Sequence, residues 1–219
     1  MKIGIIGAGH IGGALTRRLT ALGHEVEVAN SRGPETLEAL ADETRAIPVL
    51  VEQAPRDKDL VIVTIPLKAV PNLPTDLFDG VDPSVPVIDT GNYYPQRDGR
   101  IAGIEDEGIT ESEWTARHLG RPVIKAFNNI YAQHLQDKGV PQGDPTRFAL
   151  PVAGDDPEQK RIVLALVEEL GFDAVDAGSI AESWRQQPGT PVYGTDLPAA
   201  DLVAALAAAS PERPSDFRG

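Results

Sequence analysis

A glycine-rich turn near the amino terminus constrains the fold of this chain more than any other feature. Residues 2–6 form an apolar run of strand length, and the sequence Gly-Ala-Gly-His-Ile-Gly follows it at positions 7–12. Apolar residues then recur at helical spacing, at Ile11, Leu15, Leu19 and Leu22. A GxGxxG pattern between a buried strand and a helix is typical of a turn that binds the pyrophosphate of a dinucleotide.

Glycine is needed at each of three positions in this turn for a different steric reason. Gly7 allows the tight turn, Gly9 lets the backbone approach a pyrophosphate, and Gly12 lets the helix pack closely on the strand. The free N–H groups and the positive dipole end of the helix then attract the anion. We therefore predict that the pyrophosphate site consists of Gly7, Ala8, Gly9, His10, Ile11 and Gly12. His10 is interpreted as a spacer beside the phosphates rather than as a catalytic residue.

Apolar runs of strand length alternate with helical periodicity along most of the chain. The predicted strands lie at 2–6, 25–29, 46–51, 60–65, 85–89, 122–127, 147–153 and 172–177. A short helix is predicted from Pro34 to about Asp42, and Asp156 is predicted to cap a helix that begins at Pro157. Several of these runs have no polar alternation, which indicates parallel strands covered on both faces. The pattern predicts an α/β fold with a Rossmann-like, doubly wound, mostly parallel sheet and extra carboxyl-terminal strands and helices. We expect a single domain over residues 1–209 and a flexible tail at 210–219.

Composition excludes several classes of function. The 219 residues carry a formal net charge of -13, so nucleic acid and anionic membranes are not expected as partners. The chain has no cysteine, and its four histidines show no metal-ligand spacing. Neither a signal peptide nor a membrane-spanning run is recognised, so we expect a cytoplasmic protein. Residues 1–32 hold four basic and two acidic residues, which suits a phosphate site in this otherwise acidic chain.

The residues after the second strand favour NADP over NAD. An NAD site places an acidic residue there to bind the ribose 2′-hydroxyl, whereas this chain has Asn30, Ser31 and Arg32. These three side chains can donate hydrogen bonds to a 2′-phosphate, which a carboxylate would repel. The alternative is that Ser31 only caps a helix and Arg32 is a solvated surface charge.

Polar and small residues follow the later strands, at the sheet edge where the reacting end of a dinucleotide would lie. Thr64, Ile65 and Pro66 would turn the chain over the dinucleotide, and Ala126, Phe127 and Asn128 would lie beside the nicotinamide. Asn128 could instead cap the following helix, an alternative of equal standing.

No acid–base residue stands out in the sequence. The candidates are Asp89, Tyr93, Tyr94 and Lys125, and Lys125 could equally be an outward-facing strand position. The GxSxG, P-loop and Tyr-x-x-x-Lys motifs are absent from the sequence. Hydride transfer could proceed by orientation alone, since the cofactor carries the chemistry.

Six segments together resemble the bacterial branch of one enzyme family, the NADP oxidoreductases that depend on the deazaflavin coenzyme (factor 420). The segments are GAGHIGG, VANSRGPETL, VIDTGNYYPQRDG, VIKAFNNIYAQHL, ALPVAGDDPE and QPGTPVYG. The resemblance implies a homodimeric Rossmann protein that passes hydride between NADP(H) and a deazaflavin. It also implies that Gly7–Gly12 hold the pyrophosphate, Ser31 and Arg32 the 2′-phosphate, Ile65 and Pro66 the dinucleotide, and Ala126–Asn128 the nicotinamide.

The length after the last predicted strand limits the second substrate. Related dehydrogenases append a helical substrate domain of roughly a hundred residues, and this chain has no room for one. We therefore expect a small-molecule hydride acceptor, a deazaflavin or a flavin-like molecule, on the open edge of the domain or across a dimer interface. The segments at 93–113 and 187–194 would cover it. Two alternatives remain: a non-catalytic NADP(H)-binding or redox-sensing module, and a reductase of another small acceptor.

Overall fold

Parallel strands form the main sheet of the computed structural model, which describes residues 1–218. The strands are β1 (Lys2–Ile6), β2 (Glu25–Ala29), β3 (Ile47–Pro48), β4 (Leu60–Val63), β5 (Val87–Asp89) and β6 (Ile124–Lys125). Their order is β3-β2-β1-β4-β5-β6, and Ile3 pairs with Val26 on one side and Leu60 on the other. The order reverses between β1 and β4, so a crevice opens above the carboxyl ends of these two strands.

Helices cover both faces of this sheet. The α-helices of residues 1–218 are α1 (His10–Ala21), α2 (Glu38–Thr44), α3 (Pro95–Asp98), α4 (Ala102–Glu105), α5 (Glu111–Leu119), α6 (Ala132–Asp137), α7 (Pro157–Glu169) and α8 (Ala199–Ala208). The last of these packs on the strands at 149–152 and 173–176 rather than on the main sheet. Short 3-10 helices lie at Pro34–Leu37, Leu67–Asn72, Ile180–Gln186 and Ser215–Phe217. Successive side chains of β1 enter opposite cores: Ile5 packs in the cluster of Leu15 and Val163, and Ile6 in that of Trp114. This two-sided burial explains the continuous apolar strands.

The last third of the chain adds a second, smaller sheet. Its strands β7 (Ala149–Val152) and β8 (Asp173–Asp176) pair in parallel, and α7 connects them. An antiparallel bridge joins Lys125 of β6 to Ala153, with N–O distances of 2.8 and 3.0 Å. The second sheet therefore covers the edge of the main sheet at β6.

The predicted fold class is confirmed, while several predicted boundaries shift. The predicted helix at 34–42 divides into a 3-10 turn and α2. The predicted strands at 46–51 and 122–127 shorten to two residues each. In β6 the reason is local: Phe127 has a φ of 60°, which takes the chain out of the extended conformation.

The segment 210–218 packs against the body of the protein. Arg213 donates a 2.9 Å hydrogen bond to Glu111, and the Phe217 ring centroid lies 6.2 Å from that of Tyr94. These contacts differ from the predicted flexible tail at 210–219, because a buried carboxylate attracts the Arg213 guanidinium. Gly219 lies outside the described residues, and the single domain over 1–209 stays a prediction.

The amino-terminal cap of α7 gives a test of the fold. The Asp156 carboxylate accepts hydrogen bonds from the N–H groups of Glu158 and Gln159 at 2.9 and 3.0 Å, as the sequence predicts. We expect Asp156→Ala to lower the free energy of unfolding by about 1 kcal/mol in urea denaturation, since two donors lose their acceptor. Asp42→Ala, which removes an exposed carboxylate on α2, is the control and should change it by less than about 0.5 kcal/mol. Equal effects would contradict the assignment of the cap.

Candidate functional site

The glycine turn lies where the sequence places it, between β1 and α1. Gly7 has a φ of 113°, and a Cβ there would lie 2.2 Å from the Thr64 carbonyl oxygen. A Cβ on Gly12 would lie 2.0 Å from the Gly7 carbonyl oxygen. Around Gly9, in contrast, a Cβ would meet nothing within 4 Å, so the space above this residue is open. Two glycines serve close packing, and the third leaves room for a ligand.

The amino end of α1 offers donors to this open space. The first intrahelical hydrogen bond runs from the Gly13 N–H to the Gly9 carbonyl at 2.8 Å, and no side chain caps the helix. The N–H groups before Gly13 therefore have no partner inside the helix. Uncapped N–H groups beside an open backbone fit the pyrophosphate of a dinucleotide.

A cleft of about 790 Å³ extends from the glycine turn to the end of β2. Its walls are Gly7–Gly9, Asn30–Gly33, Thr64–Pro66 and a set of apolar residues that includes Leu50, Val51, Leu73 and Pro74. A second hollow of about 510 Å³ shares Gly9 and Thr64–Pro66 with the cleft and continues across the ends of β5 and β6. We call the first the nucleotide cleft and the second the acceptor hollow. Together they form one groove along the carboxyl edge of the sheet.

The end of the nucleotide cleft carries an unpaired cation. Arg32 is exposed, lines the cleft and has no ion-pair partner among residues 1–218. The Asn30 side chain forms local hydrogen bonds and is not free to donate to a 2′-phosphate. Its oxygen accepts from the Arg32 N–H at 2.8 Å, and its amide group donates to the Thr36 hydroxyl at 2.8 Å. Asn30 shapes the turn, so the side chains free to bind a phosphate are those of Ser31 and Arg32. The 3-10 helix after the turn is capped at Gly33, not at Ser31.

Three tyrosines line the acceptor hollow. The hydroxyl groups of Tyr94 and Tyr193 hydrogen-bond to each other, and Tyr131 stands at the opening with 57% of its surface exposed. The Arg97 guanidinium carbon lies 4.8 Å above the Tyr94 ring. Burial and the contact with Tyr94 raise the pKa of the Tyr193 hydroxyl well above its ordinary value, so Tyr193 stays neutral near pH 7. The hollow is aromatic, open and able to donate hydrogen bonds.

The segment 126–128 lies at the inner end of the acceptor hollow. Phe127 and Asn128 line it, and Ala126 is completely buried beneath them. The Asn128 amide donates to Asn92 at 3.0 Å and to the Gln186 carbonyl at 2.7 Å. Asn128 therefore ties three segments together. The alternative role as a helix cap is wrong, because the residue that caps α6 is Tyr131.

The acid–base candidates differ in whether they reach the acceptor hollow or are buried away from it. Tyr94 lines the acceptor hollow, whereas the Tyr93 ring is completely buried and its hydroxyl donates to the Gly99 carbonyl at 3.0 Å. Lys125 is also completely buried, so the interpretation as an outward strand position is wrong. The Lys125 amine donates to the Gly91 carbonyl at 2.5 Å. The amine also lies 3.6 Å from Asp89 and 3.5 Å from Glu111.

Sequence reasoning missed Tyr193, Glu111 and Arg213. Tyr193 lies in the segment Gln-Pro-Gly-Thr-Pro-Val-Tyr-Gly, where an aromatic residue inside a Pro- and Gly-rich loop was the available signal. The other two residues had no local signal, since each acquires its partner only through tertiary contacts.

Residues 1–218 contain neither a helix that could span a membrane nor a cluster of metal-ligating side chains. No helix there is both long enough and apolar enough to span a bilayer. No group of three or more histidine, aspartate or glutamate side chains there is arranged to hold a metal ion.

A family model and a curated relative each match part of the chain. Residues 2–93 match the model described as NADP oxidoreductase, coenzyme F420-dependent. The protein YjhV of Escherichia coli (strain K12) is 49% identical over 86 residues, which are 39% of this chain and 56% of YjhV. The match therefore spans little more than half of that relative's length.

Solved structures match most of the chain. A hypothetical protein from Sinorhizobium meliloti has a TM-score of 0.75 and 29% identity, over 90% of this chain and 95% of that one. A protein from Arthrobacter sp. FB24, described as a candidate F420-dependent NADP-reductase, has a TM-score of 0.68 and 22% identity, over 84% and 87% of the two chains. The second likeness shows the fold alone.

The comparisons confirm the resemblance to this family over residues 2–93 and the Rossmann-like fold. The matched model describes NADP oxidoreductases, and none of the comparisons identifies an acceptor for this chain.

Two glycine variants separate the nucleotide site from the fold. We expect Gly9→Ala to lower the free energy of unfolding by at most about 1 kcal/mol, since its Cβ has room and alanine is only moderately less favourable than glycine at a helix N-cap. The same Cβ would occupy the space of the pyrophosphate, so the NADPH dissociation constant should rise at least about tenfold, or ~1.4 kcal/mol.

The matched variant Gly12→Ala should lower the free energy of unfolding by about 1–3 kcal/mol, because its Cβ collides with the Gly7 carbonyl. Urea denaturation and titration calorimetry measure the two effects. Unchanged NADPH binding by Gly9→Ala would contradict this placement of the pyrophosphate.

Proposed function

We propose that this protein is an NADP(H)-dependent oxidoreductase that transfers hydride between NADP(H) and a flat heteroaromatic acceptor of the deazaflavin or flavin type. The observation that carries the proposal is the continuity of the groove: the nucleotide cleft opens into an acceptor hollow lined by Tyr94, Tyr131 and Tyr193. A nicotinamide at the junction would have its phosphates at the glycine turn and its reactive face toward these rings.

The choice of NADP(H) rests on Arg32. Its guanidinium lines the nucleotide cleft without a carboxylate partner among the described residues, and Ser31 beside it is exposed. An arginine makes a charge-assisted, two-pronged contact with a phosphate, which the 2′-hydroxyl of NAD(H) cannot return. The cation is thus accounted for by a 2′-phosphate.

The choice of a flat acceptor rests on the shape and lining of the hollow. Aromatic side chains offer large, rigid faces on which a ring system can stack. A small polar acid would need enclosure and a cationic partner, but Arg97 in this hollow is already paired with Asp98 at 2.8 Å. An open hollow with aromatic walls therefore favours a large planar molecule.

The chain's own groups would act on the acceptor as hydrogen-bond donors. Reduction of the acceptor by NADPH takes a hydride from the nicotinamide and a proton from solvent, and it releases NADP⁺. Tyr94 and Tyr193 share a hydrogen bond, so one of the two protons of the pair is free for the acceptor. Because burial raises the pKa of Tyr193, this hydroxyl stays protonated, and the pair can stabilise negative charge on the acceptor by hydrogen bonding.

The cofactor choice is tested by a charge reversal. We expect wild-type protein to bind NADPH more tightly than NADH, and Arg32→Glu to weaken NADPH binding by roughly 10- to 100-fold with little change for NADH. Arg45→Glu, at the far end of α2, is the control for net charge and should bind as the wild type does. Fluorescence titration measures all affinities, and equal wild-type affinities for NADPH and NADH would contradict the role of Arg32.

The acceptor is tested by turnover. We expect NADPH to be oxidised in the presence of oxidised deazaflavin coenzyme, with FMN and riboflavin as the comparison acceptors. Tyr94→Phe and Tyr193→Phe should each lower kcat at least about tenfold, because each removes one hydroxyl of the pair. Tyr131→Phe is the matched control, since its hydroxyl makes no hydrogen bond within residues 1–218.

The outcomes of the turnover assay discriminate between the functions. Tight NADPH binding without oxidation by any acceptor would contradict the oxidoreductase and favour the NADP(H)-binding or redox-sensing module. Oxidation by a non-aromatic acceptor alone would contradict the planar acceptor class and leave the NADP(H) site in place.

A further inference from the structure

We propose that Arg213 is a positioning residue that holds the two sides of the acceptor hollow in register, and that the carboxyl-terminal segment acts as a strap across it. The acceptor's identity rests on the proposed function above, but the strap does not. The juxtaposition that carries the inference is a guanidinium inserted between a buried carboxylate of α5 and the loop that bears Tyr193.

The first side is a set of buried charges beneath the hollow. Asp89, Glu111 and Lys125 are each at most 1% exposed. One oxygen of Glu111 accepts from Arg213 at 2.9 Å, and the other lies 3.5 Å from the Lys125 amine. Two cations thus offset two carboxylates in a site without bulk water. A buried carboxylate that loses its partner is strongly unfavourable, so the position of Arg213 is fixed by charge.

This charge set supports the backbone of the hollow. Lys125 donates to the Gly91 carbonyl at 2.5 Å, and Gly91 lines the acceptor hollow together with Asn92. The Asp89 carboxylate accepts from the Gly91 N–H at 2.9 Å and from the Ser112 hydroxyl at 2.6 Å. Lys125 therefore connects the Glu111 carboxylate to the backbone that follows β5 and faces the acceptor, so a change of charge at Glu111 would alter this backbone.

The second side is the loop 187–194. Arg213 donates to the Gln187 side-chain oxygen at 2.9 Å. The neighbouring Gln186 exchanges hydrogen bonds with Asn128 at 2.7 and 2.9 Å, and the loop ends beside Tyr193. One guanidinium thus connects the floor of the hollow to the loop that supplies one of its tyrosines.

The rest of the segment holds Arg213 in place and reaches the hollow itself. Phe217 packs against Tyr94, and the Gln96 side chain donates to the Asp216 carbonyl at 2.5 Å. Arg213 also lies over the buried Tyr93 ring, with the guanidinium carbon 5.2 Å from the ring centroid. The Tyr94 ring therefore contacts the segment 210–218 directly, and the loop that bears Tyr193 contacts it through Gln187.

Hydrogen exchange of the full-length protein without any acceptor tests the strap. We expect Arg213→Met to accelerate exchange at least about tenfold in residues 91–98 and 187–194. Exchange in residues 7–12 and the NADPH dissociation constant should change by less than about twofold, since the nucleotide cleft has no contact with the strap. Glu212→Gln is the control: Glu212 lies in the same segment, is exposed, and its side chain forms no hydrogen bond or ion pair with residues 1–218.

A double variant separates charge from contact. In Arg213→Met with Glu111→Gln, the carboxylate that required a cation is gone, so residues 91–98 should return to wild-type exchange. Residues 187–194 should stay fast, because the bond to Gln187 is still lost. If Arg213→Met does not fold, the double variant compared with Glu111→Gln alone gives the same answer for residues 187–194.

Three results would overturn the inference. They are an equal acceleration across all segments, no acceleration in residues 91–98 and 187–194, and the same response from Glu212→Gln. If turnover with a flat acceptor is also observed, Arg213→Met should raise the KM for the acceptor and leave the KM for NADPH unchanged. Absence of turnover would count against the proposed function and leave the exchange result decisive for the strap.

Discussion

Close packing of backbone on backbone at the glycine turn is the constraint on which the groove depends. The Gly7 N–H donates to the Ala29 carbonyl at 2.8 Å, and any Cβ at Gly7 or Gly12 would overlap a carbonyl oxygen. These contacts bring the end of β2, the end of β4 and the start of α1 to one point. The open space at Gly9 and the cation of Arg32 then line the same cleft.

The two ends of the groove are stabilised in different ways. The nucleotide cleft is lined by segments that all lie between residues 6 and 74, and its hydrogen bonds are mainly backbone contacts and one local side-chain turn at Asn30. The acceptor hollow is made by segments far apart in sequence, which meet at Lys125, Asn128, Gln186 and Arg213. A buried set of charged side chains, in which cations and carboxylates balance, holds those segments together. The arrangement of the segments is therefore fixed by electrostatics as well as by packing.

This difference decides how much the sequence could predict. The strand–turn–helix unit, the fold class and the cap at Asp156 are local patterns, and the structure places them as predicted. The interpretation of Lys125 as an outward-facing strand position was wrong, because alternation along a strand indicates a solvent-exposed face only where nothing covers that face of the sheet. Here α5 covers that face of β6, and the Lys125 amine lies 3.5 Å from the buried Glu111 of this helix. Arg213 shows the same limit, since a polar, proline-rich terminus gives no local sign of a buried partner.

Transfer of a labelled hydride tests the central claim most directly. NADPH deuterated at the reactive nicotinamide carbon, prepared as each of its two stereoisomers, would be incubated with the protein and the oxidised deazaflavin coenzyme. The account predicts that one stereoisomer delivers its deuterium to the reduced coenzyme, which mass spectrometry detects. The reason is that the nicotinamide and deazaflavin rings would meet face to face at the junction of the nucleotide cleft and the acceptor hollow. Reduced coenzyme without deuterium from either stereoisomer, or no reduction while NADPH is bound, would contradict it.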